Sequence, residues 1–281
     1  MKTLQCGRFR LPLTGGRPLV MGILNVTPDS FSDGGRYQAL ELAISHAEQM
    51  LAEGVDIIDI GGESSRPGVE PLPLEEELRR VMPVLYALRD AGCPLSVDTY
   101  KPEVMREALA ADADMINDIN GFRAPGAVEV VAESDCGLCI MHMQGEPQRM
   151  QRDPQYQDVV GEVSAFLRGR SDALQAAGVA RQRLCLDPGF GFGKTLEHNV
   201  ALLQSLGKMQ RELDLPLLAG MSRKSMIGGI TGKPVESRLA GSIAAALAAA
   251  AQGVKIVRVH DVAETVDALA VWQAAQEQEA I

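Results

Sequence analysis

Residues 21–35 read Met-Gly-Ile-Leu-Asn-Val-Thr-Pro-Asp-Ser-Phe-Ser-Asp-Gly-Gly, an apolar stretch that becomes polar towards its end. Residues 19–26 are almost all apolar and lie between Pro18 and Pro28, which is typical of a strand buried on both faces of a parallel sheet. Residues 27–35 hold one proline, two aspartates, two serines and two glycines, a composition that favours a mobile loop. Asn25 therefore either caps this turn or presents its amide to a site at the end of the strand.

The order of strand and helix then repeats along the chain. The apolar runs predict strands over residues 19–26, 55–60, 94–99, 115–119, 137–143, 183–187, 216–221 and 254–260. Helical spacing and end signals predict helices over 37–53, 74–90, from Pro102, and over 127–133, 158–177, 196–212, 236–252 and 263–278. Eight such units without a linker-like segment predict an α/β fold, a single (β/α)8 TIM barrel.

The predicted domain organisation is one domain over residues 1–281. Residues 18–278 form the barrel, and residues 1–17 form a short hairpin-like lead-in that has Gly15-Gly16 at a turn and covers the bottom of the barrel. A doubly wound open sheet is the alternative, since it shows the same alternation of elements. No Gly-x-Gly-x-x-Gly turn follows the first strand, which weighs against its Rossmann version.

Composition excludes several classes of function. The chain of 281 residues is 46% hydrophobic and 23% charged with a net charge of −10, which argues against general binding of nucleic acid. An anionic substrate would need a local basic cluster. Five scattered cysteines and no signal-like N-terminus favour reduced thiols in the cytoplasm. The apolar run 239–251 is much shorter than the roughly 20 residues of a membrane helix, so we expect no membrane partner.

Cys136, Cys139 and His142 have a spacing that mimics a metal site. However, residues 137–143 read as a strand, in which Cys139 and His142 would face opposite sides. The pattern therefore disfavours a metal at these residues.

Polar side chains stand near the ends of most predicted strands. They are Asn25, Asp59, Asp98, Asn117, Asp187, the segment Ser222-Arg223-Lys224-Ser225, Arg258 and His260. Any one of them could be a helix cap or a turn residue. Because strand ends converge at one mouth of a barrel, the whole set predicts one site.

The residue types at this mouth point to two kinds of ligand group. Asp98, Asn117 and Asp187, with Lys224 as a donor, suit a flat, amino-substituted heterocycle, because carboxylates accept from N–C–N edges and an amide offers a donor beside an acceptor. The basic residues Arg66, Arg223, Arg258 and His260 suit phosphate oxygens. Asn25 and Asp33 supply oxygens suited to a Mg2+ ion shared with a pyrophosphate.

Eight stretches together resemble one family. They are residues 21–35, Asp59-Ile-Gly-Gly-Glu-Ser-Ser-Arg-Pro-Gly68, Ser96-Val-Asp-Thr-Tyr-Lys-Pro102, Ile116-Asn-Asp118, Met141-His-Met-Gln-Gly145, Asp187-Pro-Gly-Phe-Gly-Phe-Gly-Lys194, Gly220-Met-Ser-Arg-Lys-Ser225 and Arg258-Val-His-Asp261. The chain resembles the dihydropteroate synthases, folate-pathway enzymes that are the target of sulfonamides. The match keeps the family's order over residues 21–261. One departure is Ser65, where the family usually has Thr, which keeps the hydroxyl and removes a methyl group.

The resemblance implies a pterin-binding barrel that condenses 6-hydroxymethyl-7,8-dihydropterin pyrophosphate with 4-aminobenzoate. It implies pterin binding by Asp98, Asn117, Asp187, Lys224 and Arg258, and pyrophosphate binding by Asn25, Ser65, Arg66, Arg258 and His260. It implies an aminobenzoate site at Phe31, Ser65, Arg66, Pro67, Phe190, Lys224 and Ser225. Mg2+ would be bound at Asn25 and Asp33. The family is usually a homodimer, so we expect a homodimer.

Two other functions remain as alternatives. A methyltetrahydrofolate methyl-transferring barrel would keep the Asp-Asn-Asp set but would need neither 222–225 nor 258–260. A non-catalytic barrel kept for structure or ligand storage would be expected to lose the residues for the leaving group, such as Asn25 and Lys224. Release of pyrophosphate from the two substrates separates all three functions.

Overall fold

The core of the fold is a closed parallel sheet. The computed structural model describes residues 1–26, 36–64, 68 and 70–276. Within them, the sheet strands are β3 (Leu19–Asn25), β4 (Ile57–Gly61), β5 (Leu95–Asp98), β6 (Met115–Asp118), β7 (Gly137–Met141), β8 (Leu184–Asp187), β9 (Leu218–Ala219) and β10 (Ile256–Val259). They are ordered β8-β7-β6-β5-β4-β3-β10-β9, and all neighbours are parallel.

The two ends of this order meet. A parallel bridge joins Leu186 to Leu217, and the amide of Leu186 donates to the carbonyl oxygen of Pro216 at 2.9 Å. The sheet is thus a barrel, and the predicted (β/α)8 fold is confirmed. Because an open doubly wound sheet has two free edges, this bridge rules out that alternative.

Helices surround the barrel in the order that the sequence predicts. They are α1 (Arg36–Ala52), α2 (Leu74–Leu88), α3 (Pro102–Ala110), α4 (Ala127–Ala132), α5 (Val159–Ala176), α6 (Leu196–Leu213), α7 (Ser225–Thr231), α8 (Leu239–Ala251) and α9 (Val262–Gln276). The short helix α7 is absent from the sequence prediction, and α8 begins later than predicted, after a 3-10 turn at Val235–Ser237. In the described part of the chain, no helix has the length and apolar character needed to cross a membrane.

The N-terminal hairpin closes the bottom of the barrel. Strands β1 (Thr3–Cys6) and β2 (Phe9–Pro12) pair antiparallel. The turn that joins the two strands is at Gly7, with φ 50°, whereas Gly15-Gly16 lie in a bend after the hairpin. The turn at Gly7 depends on a long-range contact, because a Cβ at Gly7 would lie 2.8 Å from Asp114 Oδ1. Only glycine fits both this left-handed backbone and this close approach.

Two apolar layers lie on either side of the sheet wall. The larger packs the outward faces of the strands against the helices. The smaller fills the lower barrel interior with Leu4 and Cys6 of the hairpin, Leu13, Leu19, Met21, Ile57, Met115, Cys139, Cys185, Leu218 and Ile256. This filling leaves the opposite end, where the strands finish, as the place for polar side chains.

Candidate active site

The predicted site residues that the structure describes lie at the carboxyl ends of the strands or just beyond them. They are Asn25, Asp98, Asn117, Asp187, Phe190, Lys224, Ser225, Arg258 and His260. Phe31, Asp33, Ser65, Arg66 and Pro67 lie outside the described residues. The described residues therefore form the inner part of the predicted site.

Arg258 is the centre of the charge network. Its Nε donates to Asp59 Oδ2 at 2.6 Å, and its Nη2 donates to Asp98 Oδ2 at 2.8 Å. Burial disfavours the guanidinium charge, but Asp59 and Asp98 outweigh burial and raise the pKa of Arg258. Two carboxylates from neighbouring strands thus hold one planar cation over the barrel interior.

Asp98 is the carboxyl group that remains partly exposed. Burial raises its pKa to about 7, Arg258 opposes this rise, and the nearby charge of Asp59 adds to it. At neutral pH the free protein therefore holds Asp98 near the midpoint of its titration. A ligand that brings N–H donors would stabilise the ionised form.

Asn117 lies beside Asp98 in the sheet register and faces the same interior. Its Nδ2 donates to Asp59 Oδ2 at 3.0 Å. Since a carboxylate only accepts hydrogen bonds, this contact assigns the amide nitrogen to Asp59 and turns Oδ1 away from it.

Asp187 and Lys224 form the second half of the mouth. Asp187 Oδ1 accepts from the amide of Gly189 at 2.7 Å, and burial raises the pKa of its carboxyl group against the opposing charge of Lys224. Burial lowers the pKa of Lys224 to about 8, so the ammonium group stays mainly charged at neutral pH. Its Nζ donates to the carbonyl oxygen of Phe190 at 2.6 Å and lies 4.8 Å from the ring centre of Phe192.

The two phenylalanines of the loop 187–194 have different surroundings. The ring of Phe190, which was predicted to contact aminobenzoate, is fully buried in the larger apolar layer. The ring of Phe192 instead packs with Ile119 and Met143 near the mouth. It is therefore the backbone of Phe190 and the ring of Phe192 that contact Lys224.

This loop is held by contacts that the sequence analysis missed. Gly189 has φ 71°, and a Cβ there would lie 1.9 Å from the carbonyl oxygen of His142, so only glycine fits. The buried Lys194 Nζ donates to the carbonyl oxygens of Gly189 and Phe192 at 2.9 Å and lies 3.0 Å from His142 Nδ1. Lys194 thereby fixes the path of the backbone that carries Phe190 and Phe192.

The other predicted cations behave differently from Arg258. Burial, followed by the charge of Arg258, lowers the pKa of His260 to about 4, so the imidazole is neutral at pH 7 and not the cation that the sequence suggested. Its Nδ1 lies 3.0 Å from Ser222 Oγ. Arg223 is paired with Asp261, its Nε donating to Oδ2 at 3.0 Å. Of these three residues, the two arginines are therefore cations held by carboxylates, and His260 is the neutral one.

The model of the pterin binding enzyme family matches residues 21–260. A dihydropteroate synthase of Neisseria meningitidis serogroup C is 53% identical over 274 residues, which cover 96% of each chain. This chain belongs to the pterin binding enzymes, among the dihydropteroate synthases.

Solved structures agree over almost the whole length. A Burkholderia cenocepacia dihydropteroate synthase complexed with 7,8-dihydropteroate is 56% identical, covers 98% of this chain and 96% of its own, and has a TM-score of 0.89. A Xanthomonas albilineans dihydropteroate synthase with 4-aminobenzoic acid is 52% identical, covers 99% of both chains, and has a TM-score of 0.92. Both carry the same barrel as this family member.

A cavity of about 680 Å³ opens beside Asp98 and leads outwards over the strand ends. Tyr100, Ile119, Arg123 and Met143 form part of its wall. Asp98 also lines this cavity, so its carboxyl group is accessible from this side of the mouth. Its volume falls within the range of small-molecule sites.

An ion cluster in the same wall was also missed by the sequence analysis. Lys101 forms ion pairs with Glu63 and the buried Glu77, and the hydroxyl of Tyr100 donates to Glu63 Oε1 at 2.8 Å. Glu63 directly precedes the segment that contains Ser65, Arg66 and Pro67 in the sequence. No local motif signals this cluster, because its members come from three separate elements.

Of the two residues that the resemblance implies as Mg2+ ligands, the structure describes one. Asn25 is the last residue of β3 and is half-buried, whereas Asp33 lies outside the described residues. No group of three or more His, Cys, Asp or Glu side chains that could hold a metal occurs in the described part of the chain. Mg2+ usually keeps several waters and takes further ligands from substrate phosphates, so a single amide oxygen fits an ion shared with a diphosphate.

Proposed function

We propose that this chain condenses 6-hydroxymethyl-7,8-dihydropterin pyrophosphate with 4-aminobenzoate to give 7,8-dihydropteroate and pyrophosphate. Its relatives are dihydropteroate synthases. Solved structures of two of them contain 7,8-dihydropteroate and 4-aminobenzoic acid, respectively. One observation carries the proposal for this chain. The mouth of the barrel brings three acceptors together with two cations, and together they complement a pterin. The acceptors are Asp98, Asn117 and Asp187, and the cations are Arg258 and Lys224.

The pterin half of the site follows from complementary hydrogen bonding. A pterin ring presents N–H donors along its amino-substituted edge, for which Asp98 and Asp187 are acceptors, and Asn117 Oδ1 adds a third. Lys224 supplies a donor for a ring acceptor. The planar guanidinium of Arg258 can lie against the ring face once the ring is in place.

The diphosphate half uses Asn25, Ser65, Arg66, Arg258 and His260. His260 would donate as a neutral imidazole, because burial keeps its pKa well below neutrality. Asn25 and Asp33 would hold Mg2+, which when bound supplies positive charge to the departing diphosphate. Arg258 adds its own charge at the same end of the pterin.

The reaction then needs little acid–base chemistry from the protein. The bond between the pterin methylene carbon and the diphosphate oxygen breaks, and its electron pair leaves with the diphosphate. The resulting pterin cation is stabilised by the carboxylates of Asp98 and Asp187. The lone pair of the aniline nitrogen forms the new C–N bond, and that nitrogen then loses one proton to solvent.

The aminobenzoate would bind at Phe31, Ser65, Arg66, Pro67, Phe190, Lys224 and Ser225. Among these, Lys224 and Ser225 are consecutive, and Ser225 is exposed at the start of α7. Because the ring of Phe190 is buried, we propose that its carbonyl oxygen acts through Lys224 while the ring of Phe192 faces the second substrate.

Release of pyrophosphate from the two purified substrates tests the function. We expect pyrophosphate and 7,8-dihydropteroate in equal amounts, and no 7,8-dihydropteroate when 4-aminobenzoate is omitted. Binding of the pterin diphosphate without any release would indicate a storage protein instead. Transfer of a methyl group from methyltetrahydrofolate would indicate the related methyl-transferring activity.

We also propose that the active form is a cytoplasmic homodimer whose protomers are each one domain over residues 1–281. The support is the resemblance to the family and the continuous match over residues 21–260. Sedimentation at several protein concentrations would show a monomer if the proposed dimer is wrong.

A further inference from the structure

Asp59 is a fully buried carboxylate on β4 that none of the predicted ligand contacts uses. Its Oδ2 accepts from Arg258 Nε at 2.6 Å and from Asn117 Nδ2 at 3.0 Å. Its Oδ1 is buried and has no hydrogen-bond partner within the described residues. A charge that is buried this completely is unfavourable unless its partners stabilise it. The hydrogen bonds from Arg258 and Asn117 are therefore what stabilise the buried carboxylate of Asp59.

The contact with Asn117 decides which atom of the amide a ligand meets. An amide can turn by half a rotation, and either orientation fills nearly the same space. Asp59 only accepts hydrogen bonds, so it selects the orientation with Nδ2 towards itself. A neutral partner that can donate would remove this selection.

The contact with Arg258 decides the plane of the guanidinium. In the free protein, Asp59 binds Nε and Asp98 binds Nη2, so two separate strands hold one cation. When a pterin takes Asp98 as its acceptor, Asp59 is the carboxylate that still holds Arg258. The cation then keeps its place beside the ring instead of following Asp98 or turning towards solvent.

We propose that Asp59 is a positioning residue of the pterin site, acting through Arg258 and Asn117 and not by contact with the substrate. The inference rests on the proposed function for the identity of the ligand. The network itself rests only on the described side chains.

The test is Asp59→Asn, which keeps the size of the side chain and removes its charge. We expect affinity for 6-hydroxymethylpterin without its diphosphate to fall by at least about tenfold in calorimetry, because a charge-assisted contact is lost. We expect kcat to fall and the KM for 4-aminobenzoate to change less. Asp114→Asn is the matched control, since Asp114 is also a buried carboxylate but binds Arg8 at the bottom of the barrel. It should leave pterin affinity unchanged.

A pH profile distinguishes positioning from a general loss of stability. The charges acting on Asp98 are Arg258, Asp59, Glu77 and Asp118. Removing the charge of Asp59 leaves Arg258 to pair with Asp98 alone, so the pH midpoint for pterin binding should move to lower pH in Asp59→Asn. A purely structural role would lower thermal stability without moving this midpoint.

A double variant keeps the test usable if Asp59→Asn fails to fold. Asp59→Asn with Arg258→Gln removes both members of the ion pair, and it leaves without its cation only Asp98, which is partly exposed. The double variant should bind pterin less than about tenfold more weakly than Arg258→Gln alone, because part of the effect of Asp59 passes through Arg258.

Two results would overturn the proposal. One is wild-type pterin affinity with an unmoved pH midpoint in Asp59→Asn. The other is a fully additive loss in the double variant, which would mean that Asp59 acts independently of Arg258. If the wild-type protein binds pterin but releases no pyrophosphate, the proposed function fails while the role of Asp59 in pterin binding is still measured.

Discussion

The bottom and the mouth of the barrel interior carry side chains of opposite character, although only two residues separate them along each strand. At the bottom, inward side chains are apolar, as at Ile57, Met115, Cys185 and Ile256. Two residues further along the same strands, the inward positions are Asp59, Asn117, Asp187 and Arg258. Because strand side chains alternate with a period of two, both sets face the same interior. The lower, apolar layer stabilises the fold. The charged side chains above it form the candidate site, and the apolar layer holds the strands that carry them.

The largest expected effect comes from the upper layer, at Asp98. Asp98→Asn replaces a charged acceptor with an amide that carries a donor, at a cost of about 2–5 kcal/mol in pterin binding. That corresponds to roughly thirtyfold weaker affinity or more. Calorimetry with 6-hydroxymethylpterin measures the affinity, and a wild-type value would remove Asp98 from the pterin site.

The corresponding carboxylate at the bottom should show the opposite pattern. Asp114 accepts from the side chain and the amide of Arg8 and, at 3.1 Å, from the amide of Leu95. Asp114→Asn should lower the free energy of unfolding by about 1–3 kcal/mol, chiefly through the buried backbone contacts, since the Arg8 side chain is 40% exposed. Urea unfolding gives this number. A parallel loss of kcat for the folded variant would show that the two ends are coupled.

Acid should affect binding and folding in opposite directions through Asp98. Burial raises its pKa to about 7, so below neutrality the folded protein protonates it while the unfolded chain keeps it ionised down to about pH 4. Pterin affinity should fall by up to about tenfold per pH unit below pH 7, because the protonated group is a poorer acceptor. The contribution of Asp98 to the free energy of unfolding should rise over the same interval.

Asp118 adds to the stability effect, since burial raises its pKa to about 7 as well. Subtracting the stability profile of Asp98→Asn isolates the part that belongs to Asp98. An affinity that stays flat from about pH 5 to pH 8 would contradict the assigned role of its carboxylate.

The barrel could be predicted from the sequence because its signals are local. Each strand is a short apolar run between turn residues, and the polar residue at its end is visible in the same run. The hairpin turn could not be predicted this way, because the Gly7 turn depends on Asp114, which is distant in the sequence. Helix α7 contains Gly228 and Gly229, which are poor helix formers, and a Cβ at Gly228 would meet the guanidinium of Arg238.

The candidate site shows the same division between local and long-range information. Residue types at the strand ends predicted a site for a heterocycle and a phosphate. The partners of Arg258 and the neutral state of His260 depend on burial and on charges from other strands, which the sequence alone does not contain. Asp59 stood among the strand-end residues but received no role, because its importance lies in its contacts.

The smallest expected effect lies where the hairpin meets the lower layer. Cys6 is fully buried, and Cys6→Ala should cost about 1 kcal/mol of unfolding free energy, with kcat unchanged. A Cβ at Gly137 would lie 2.7 Å from Cys6 Sγ and 3.1 Å from the carbonyl oxygen of Gln5, so Gly137→Ala should be destabilising by about 1–3 kcal/mol. Because Cys6→Ala removes the sulfur, it should cost less in the Gly137→Ala background than alone, and unfolding of the four proteins measures this coupling. Simple additivity would mean that the backbone of Gln5, and not the sulfur, limits the space at Gly137.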